Sequence, residues 1–462
     1  MNELSGVIDI LPAAKLHYAG QMLGYYGVEL SALPQSLRAA DVGERWLVPD
    51  NGPPVLQNVM LPDFAADIAI DGALLIPASC IADPTGGWHG VDWFAVIAWY
   101  LHAVPERAHE ARRGPIHSYA ARLGNWDSRL WEHAWANRAA MFLRRAAAHL
   151  ADRDETDLFG AFPEARLELT HDVDAIAKTG AIRLKQAVFS LVNVGRHVGR
   201  RRPGAALVSL WRAFRFLCWP SRDYWNFDRI MAVEKAAGLR STFLFYVRGR
   251  RARGRAALRR RLFDPGYDAG EVELAGVYEA IRKGGWSVGL HPSFDSWNAP
   301  VDIRSQRHML QRASGVQVRS CRQHWLRFSW ERTWRAQVDA GLELDYTLCF
   351  NERPGFRISA AVTFDPLDEE SGYPVGLRAT PTILMDSHLY DYGLMDARER
   401  RRTIVRLLDE VHAVGGEAAI LWHPHVLSRD YGWADGFTQL LEEMVRIARR
   451  PHPVNAARLP AR

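Results

Sequence analysis

The chain has 462 residues, more than one typical domain, and 48% of them are hydrophobic, with 17 Trp, which excludes a disordered polypeptide. The formal charge is only +5, from 58 basic and 53 acidic residues, so any attraction for an anionic partner must come from local runs. Cys80, Cys218, Cys321 and Cys349 lie far apart with no CxxC spacing, which excludes a disulfide framework and a cysteine zinc site.

The first residues lack a basic stretch leading into an apolar core, so no signal peptide is expected. The most apolar window, residues 91–104, is broken by Asp92 and His102 and is too short to span a bilayer. A cytoplasmic location is the resulting expectation. Residues 1–155 read as a smaller N-terminal α/β domain. Residues 45–49 and 72–77 are short apolar runs bounded by Pro, Gly and Asp, and predict strands. Residues 91–103 and 129–150 carry helical periodicity. The histidines here (His89, His102, His109, His117, His133, His149) are scattered and predict structural roles. The charged stretch 151–157 marks the boundary.

From residue 156 to 462 strands and helices alternate. Strands are predicted at 166–170, 241–247, 287–290, 317–321, 342–348, 380–385 and 418–422. Helical patterns lie between several of them, at 226–238, 271–284, 330–341 and 397–415, each closed by a glycine. This alternation predicts a parallel α/β sheet, open or closed into a barrel. In such folds the site lies beyond the carboxyl ends of the strands. Chemical residues cluster there. His171, Asp172 and Asp174 end the first strand, and His291 and Asp295 follow the third. Arg322, His324 and Arg327 follow the fourth, Asp345 and Tyr346 lie in the fifth, Asp386 and His388 end the sixth, and His423 and His425 end the seventh.

Asp172 and Asp174 are two apart, so on a strand both carboxylates enter one site. Like charges that close need a cation between them or a shared proton. Imidazole and carboxylate donors suit zinc or another first-row divalent ion. His291 and Asp295 share a face if a helical turn follows the strand. A metal would supply Lewis acidity, a free carboxylate a general base, and a histidine opposite a proton for the leaving group. Asp172 and His423 are placed for the last two tasks, and the set fits hydrolysis of an acyl group.

Thr170-His171-Asp172-Val173-Asp174, Val288-Gly289-Leu290-His291-Pro292, Arg322-Gln323-His324-Trp325-Leu326-Arg327 and Leu421-Trp422-His423 occur in this order. They resemble successive motifs of the polysaccharide deacetylase (NodB-homology) superfamily. Ser241-Thr242-Phe243-Leu244-Phe245, Glu352-Arg353-Pro354-Gly355-Phe356-Arg357 and Leu384-Met385-Asp386 are similar to segments of its long, two-part members associated with surface-polysaccharide biosynthesis. The resemblance covers about residues 165–430. It implies a distorted (β/α)7 barrel after the smaller N-terminal domain. It also implies one divalent metal ion, zinc first among candidates, and removal of an N-acetyl group from an amino sugar. By its pattern Asp172 is the base, Asp174 and His291 bind metal, Arg322 is the motif arginine, and His423 is the acid. Val173 splits a usually adjacent Asp pair, and Asp295 stands where a second metal-binding histidine is usual. The third ligand is then His324, with Asp295 as the rival and His171 a further candidate.

Arg322 and Arg327 are candidates to orient a carboxylate or to hold a substrate anion. Trp325, Trp297 and Tyr346 are candidates to stack on a sugar ring. Asp386 and His388 are candidates for the rim. The expected substrate is an N-acetylated sugar or a lipid-linked saccharide. A catalytically silent barrel that binds glycans or scaffolds biosynthesis is the alternative, and a metal-free two-carboxylate glycosidase a third reading. Between residues 181 and 220 there are eight Lys/Arg and no Asp/Glu. This basic helical insert, at about 181–222, carries Leu207, Leu210, Trp211, Phe214 and Leu217 as an apolar stripe. It packs on the barrel or makes peripheral contact with the inner face of a membrane. Residues 248–261 hold eight Arg and no acid. No nucleic-acid-binding module surrounds these runs, so no nucleic-acid partner is expected.

Overall fold

The structure is a computed structural model that describes residues 11–43, 52–219, 223–249 and 254–456. The strand expected at 45–49 lies outside the described residues. In the N-terminal region β1 (Leu56–Met60) and β2 (Ala73–Pro77) form an antiparallel pair, Leu56 opposite Pro77. Helices Trp93–Leu101 and Trp135–Leu150 pack on β2, and helix Leu11–Tyr25 packs on both of them. The helix expected from residue 129 starts at Trp135. Asp127 accepts the Arg129 N–H and turns the preceding residues into a separate 3-10 element, Ser128–Trp131.

The remainder is one parallel sheet. Its strands are β3 (Arg166–Val173), β4 (Thr242–Tyr246), β5 (Ser287–His291), β6 (Ser320–Cys321), β7 (Leu344–Asp345), β8 (Arg378–Ala379), β9 (Thr382–Met385) and β10 (Glu417–Leu421). They pair in the order β8-β7-β6-β5-β4-β3-β10-β9. The two ends of this order are consecutive in the chain, separated only by Thr380 and Pro381. Thr380 N–H donates to Asp345 O at 2.9 Å, and Thr382 N–H to Leu348 O at 2.8 Å. On the other side Ala419 N–H donates to Pro381 O at 2.9 Å. One extended segment therefore leaves the β7 side and joins β10, and the sheet curls back on itself. Pro381 has no N–H to give to a ladder, and this divides the segment expected at 380–385 into two short strands. The expected distorted seven-stranded barrel is present with one strand split. At Gly289 an ideal Cβ would stand 2.6 Å from Leu244 Cδ2 and 2.7 Å from Ser320 Oγ, so only glycine admits this spacing of β4, β5 and β6.

A single buried apolar cluster runs from Phe142 and Trp99 in the N-terminal region to Trp334 and Phe364 in the barrel. Polar ties accompany it. Tyr26 donates to Val414 O at 2.6 Å, and Asn137 exchanges two hydrogen bonds with the Ala361 backbone. Arg138 grips Glu410 of the Ala397–Ala413 helix through Nε and Nη2, at 2.9 and 2.7 Å, and His133 adds a contact at 2.9 Å. Burial by itself would raise the Glu410 pKa. Arg138 and His133 outweigh it and lower the value from 4.5 to about 2.

The folded-state pKa of Glu410 is depressed, so its stabilisation is present above its unfolded pKa and fades as pH falls toward about 2. Glu410→Gln is expected to lower urea stability at neutral pH by roughly 3 kcal/mol, because the buried Arg138 guanidinium loses its carboxylate. That difference from the wild type should shrink once pH drops below about 4.5. An equal difference at pH ~3 and pH ~7 would contradict this.

Candidate metal centre

β3 is exposed where it begins and buried from Leu169 to Val173, so its carboxyl end enters the interior. Asp172 lies in that end and Asp174 one residue past it, and both side chains line one cleft. His291 closes β5, and His324 opens a 3-10 turn after β6. Ligand atoms of Asp174, His291 and His324 lie within 4.8 Å of one another, the arrangement expected of metal ligands among the described residues. Asp174 Oδ1 stands 3.3 Å from His291 Nε2 and 3.5 Å from His324 Nε2. It is buried and has no hydrogen-bond partner.

His291 Nδ1 donates to Arg322 O at 2.8 Å, so Nε2 is the nitrogen turned to Asp174 Oδ1 and free to bind an ion once it gives up its proton. Burial would lower the His291 pKa, but Asp172 and Asp174 outweigh it and raise it. His324 Nδ1 stands 3.4 Å from Asp264 Oδ1, a charged neighbour and not a hydrogen-bond partner. Two imidazole nitrogens and one carboxylate oxygen aim at one point, a donor set that suits zinc or a similar divalent ion. A carbonyl on the far nitrogen of one ring and a carboxylate near that of the other resemble the usual outer layer of such a site. Burial lowers the His324 pKa, which keeps the ring neutral and fit to ligate. Burial would raise that of Asp174, but His291, His324 and His423 outweigh it and hold the carboxyl well below the usual carboxylate range.

Two further groups flank the cluster. Asp172 Oδ1 accepts from Arg322 Nη1 at 2.7 Å. The same guanidinium donates to Thr170 Oγ1 at 2.8 Å, Thr382 Oγ1 at 2.9 Å and Tyr346 O at 3.0 Å. On the other side, His423 Nδ1 lies 3.0 Å from both oxygens of the buried Asp386, whose Oδ2 also accepts the His423 N–H at 2.6 Å. His423 Nε2 is 3.6 Å from Asp174 Oδ2. Burial opposes charge on His423, but Asp386 and then Asp174 and Asp172 raise its pKa to about 9.

Several sequence expectations need correction. Asp295 stays outside the cluster. Pro292 follows β5 directly, the chain bends instead of forming a helical turn, and the carboxylate is taken by Arg327 at 3.2 Å and Arg259 at 3.3 Å. His171 is buried between Trp422 O and Glu234 Oε1 and ligates nothing. Arg322 is fully buried, and its guanidinium is turned to Asp172, Thr170, Thr382 and Tyr346 O and not to the cleft. Arg327 is held by Asp295 and by Phe294 O at 3.0 Å, with its guanidinium over the Phe294 and Trp297 rings. Tyr346 is buried with its hydroxyl on Glu168 Oε2 at 2.7 Å, away from the cleft. His388 is likewise buried, bonded to the Met385 N–H and Phe350 O, and forms no rim. Trp325 does line the cleft.

The cleft, about 140 Å³, adjoins a larger cavity of about 600 Å³. Asp174, His324, Lys185, Gln186, His425 and Tyr431 border both. Asp264, Lys185 and Asp391 escaped sequence reasoning. Asp264 sits beside an arginine-rich run and carries no motif. Lys185 comes from the insert helix. Asp391 lies on a π-turn, His388–Tyr392, with its pKa raised to about 7, chiefly by burial.

No protein-family model matches the chain, and no curated protein does. Solved structures similar to it include a protein from Mycobacterium smegmatis assigned as a polysaccharide deacetylase, at 15% identity over 65% of this chain and 95% of that one, with a TM-score of 0.36. A CE4-family pseudoenzyme from Bacillus anthracis matches at 12% identity over 63% of this chain and 62% of its own, with a TM-score of 0.30. A polysaccharide deacetylase from Bacillus cereus matches at 9% identity over 62% and 89%, with a TM-score of 0.29. At these identities and TM-scores none of them assigns an activity to this chain.

Asp264→Ala removes the carboxylate beside His324 and is expected to weaken divalent-ion binding roughly ten- to a hundredfold. Asp295→Ala should leave binding unchanged. Competition of the full chain against a chelating dye reads both, and equal losses would contradict the assignment.

Proposed function

We propose that the chain is a metal-dependent hydrolase that removes the N-acetyl group from an amino sugar of a surface polysaccharide or its precursor. The observation that carries this reading is the convergence of Asp174 Oδ1, His291 Nε2 and His324 Nε2 on one point, with Asp172 and His423 on either side. A divalent ion held by those three would supply Lewis acidity toward an acyl oxygen and water.

The chain's own groups divide the remaining work. Arg322 engages Oδ1 of Asp172, so Oδ2 is the oxygen left to take a proton from attacking water. Asp386 fixes His423 through Nδ1 and keeps the ring charged at neutral pH, so its Nε2 proton faces the cleft. That proton goes to the departing amine, which becomes the free amino group of the sugar. The Trp325 ring lines the cleft with Lys185 Nζ 4.0 Å over it, and Lys185 and Asp391 offer polar contacts to a sugar in the same cleft. We place the enzyme in the cytoplasm, at the inner face of the membrane, where precursors on lipid carriers are built. The four cysteines are all unpaired, in keeping with a reducing compartment.

Asp172→Asn and His423→Ala are each expected to lower acetate release from N-acetylated amino-sugar oligomers roughly 10²- to 10⁴-fold. Both variants should stay folded and keep their metal. Undiminished turnover in either would contradict the assigned role. Metal binding with no turnover on any acetylated sugar would favour a silent glycan-binding barrel.

A further inference from the structure

The insert folds as a helical hairpin, Gly180–Gly199 and Pro203–Cys218, and its amphipathicity is inverted. Large apolar residues face solvent. Leu184, Val188, Leu191 and Val198 recur at helical spacing on the first helix, and Leu207, Leu210, Trp211, Phe214 and Leu217 on the second. Exposure reaches 61% at Leu184, 62% at Val198, 68% at Leu207 and 59% at Trp211. The buried residues are mostly small or polar: Ala187, Ser190, Asn193 and His197, then Ala206, Ser209, Ala213 and Phe216, with Ile182 and Phe189 partly buried beside them. A surface helix of a globular protein does the reverse. A contiguous exposed apolar face of this kind marks an interaction surface.

Charge identifies what covers it. The eight Lys/Arg of residues 181–220 have no acid among them. Arg202 and Arg215 reach carboxylates elsewhere, Glu399 and Asp430. Arg196, Arg200 and Arg212 donate instead to backbone carbonyls of Tyr392, Gly393 and Tyr431, and Asp391 is the acid that acts on Arg196 and Arg212, so the insert carries more cations than acids to meet them. A second basic helix, Gly254–Phe263, exposes Leu258 and Leu262 beside Arg255 and Arg259. A second copy of this chain would bring like charges face to face. An uncharged apolar partner would leave the cations without a role. No helix among the described residues is long and apolar enough to cross a membrane.

We propose that this hairpin seats the protein on an anionic lipid bilayer, lying in the interface with its leucines, valines and tryptophan among the acyl chains and its cations at the headgroups. The cavity of about 600 Å³ is lined together by Thr179, Ile182 and Lys185 at the start of the hairpin, by Leu262 and Phe263 of the second basic helix, and by Asp174 and His324 of the metal cluster. A saccharide on an anionic lipid carrier would reach the cluster along it. The delivery of such a substrate rests on the deacetylase reading, whereas the seating itself does not.

The test is flotation of the full chain with vesicles of two parts phosphatidylcholine to one part phosphatidylglycerol, beside vesicles of phosphatidylcholine alone. The chain should float with the anionic vesicles, much less with the neutral ones, and be released by high salt. The double substitution Leu207→Glu with Trp211→Glu should lower partition on the order of a hundredfold with an unchanged circular dichroism spectrum. Val272→Glu, at an exposed valine outside the hairpin, should float like the wild type. Absence of flotation, equal flotation with both vesicle types, or equal flotation of the double variant overturns the proposal. So does a lipid-free dimer that the double variant disperses. Metal content, read on the same preparation, reports on the deacetylase site independently of these outcomes.

Discussion

Arg322 sets the geometry on which the rest of the site depends. Its guanidinium is fully buried and reaches β3 through Thr170 and Asp172, the segment after β7 through Tyr346 O, and β9 through Thr382. Its own carbonyl accepts from His291 Nδ1. One residue thus holds the carboxylate that would act as base with its side chain, and orients a ligand histidine with its backbone. A buried cation is tolerable only when its donors are satisfied, and here each nitrogen has an acceptor. Because those acceptors lie on separate strands, the same bonds tie the curled sheet together at its carboxyl end.

The N-terminal region supports the site from outside. His324 is followed by Trp325 and Leu326 with φ of 57° and 49°, a backbone region that side chains of this size seldom adopt. Such a turn persists only where its surroundings hold it. Ser118 donates to Leu326 O at 2.6 Å, and Asn351 donates to Trp325 O at 3.3 Å and to His117 O at 3.2 Å. The Glu106 carboxylate pairs with Arg357, whose Nη1 also donates to Ser118 at 2.6 Å. A chain of contacts therefore runs from the N-terminal helices to the loop that presents His324.

Much of this was legible in residue spacing. Asp172 and Asp174 point into one cleft because strands repeat every two residues, and histidines cluster where parallel strands end. His324 could be preferred over Asp295 as third ligand, but not on geometric grounds. The decisive fact, that the chain bends at Pro292 and delivers Asp295 to Arg327 and Arg259, depends on loop conformation and on partners distant in sequence. Asp264 was illegible for a similar reason, since only the folded loops bring it beside His324. The hairpin shows another limit. Periodicity reported its stripe of Leu207, Trp211 and Phe214, but periodicity does not say which side of a helix faces the protein. The split strand at Pro381 was visible as a proline, yet its consequence, a sheet whose two edges are one segment, is a matter of topology.

The central claim is that Asp174, His291 and His324 form one divalent-ion site. X-ray absorption at the zinc edge, on the full chain loaded with one equivalent of zinc, tests it most directly. The account predicts two imidazole nitrogens and a carboxylate oxygen at about 2.0–2.2 Å, with one imidazole lost in His324→Ala. A zinc environment without imidazole, or one that His324→Ala leaves unchanged, would contradict it.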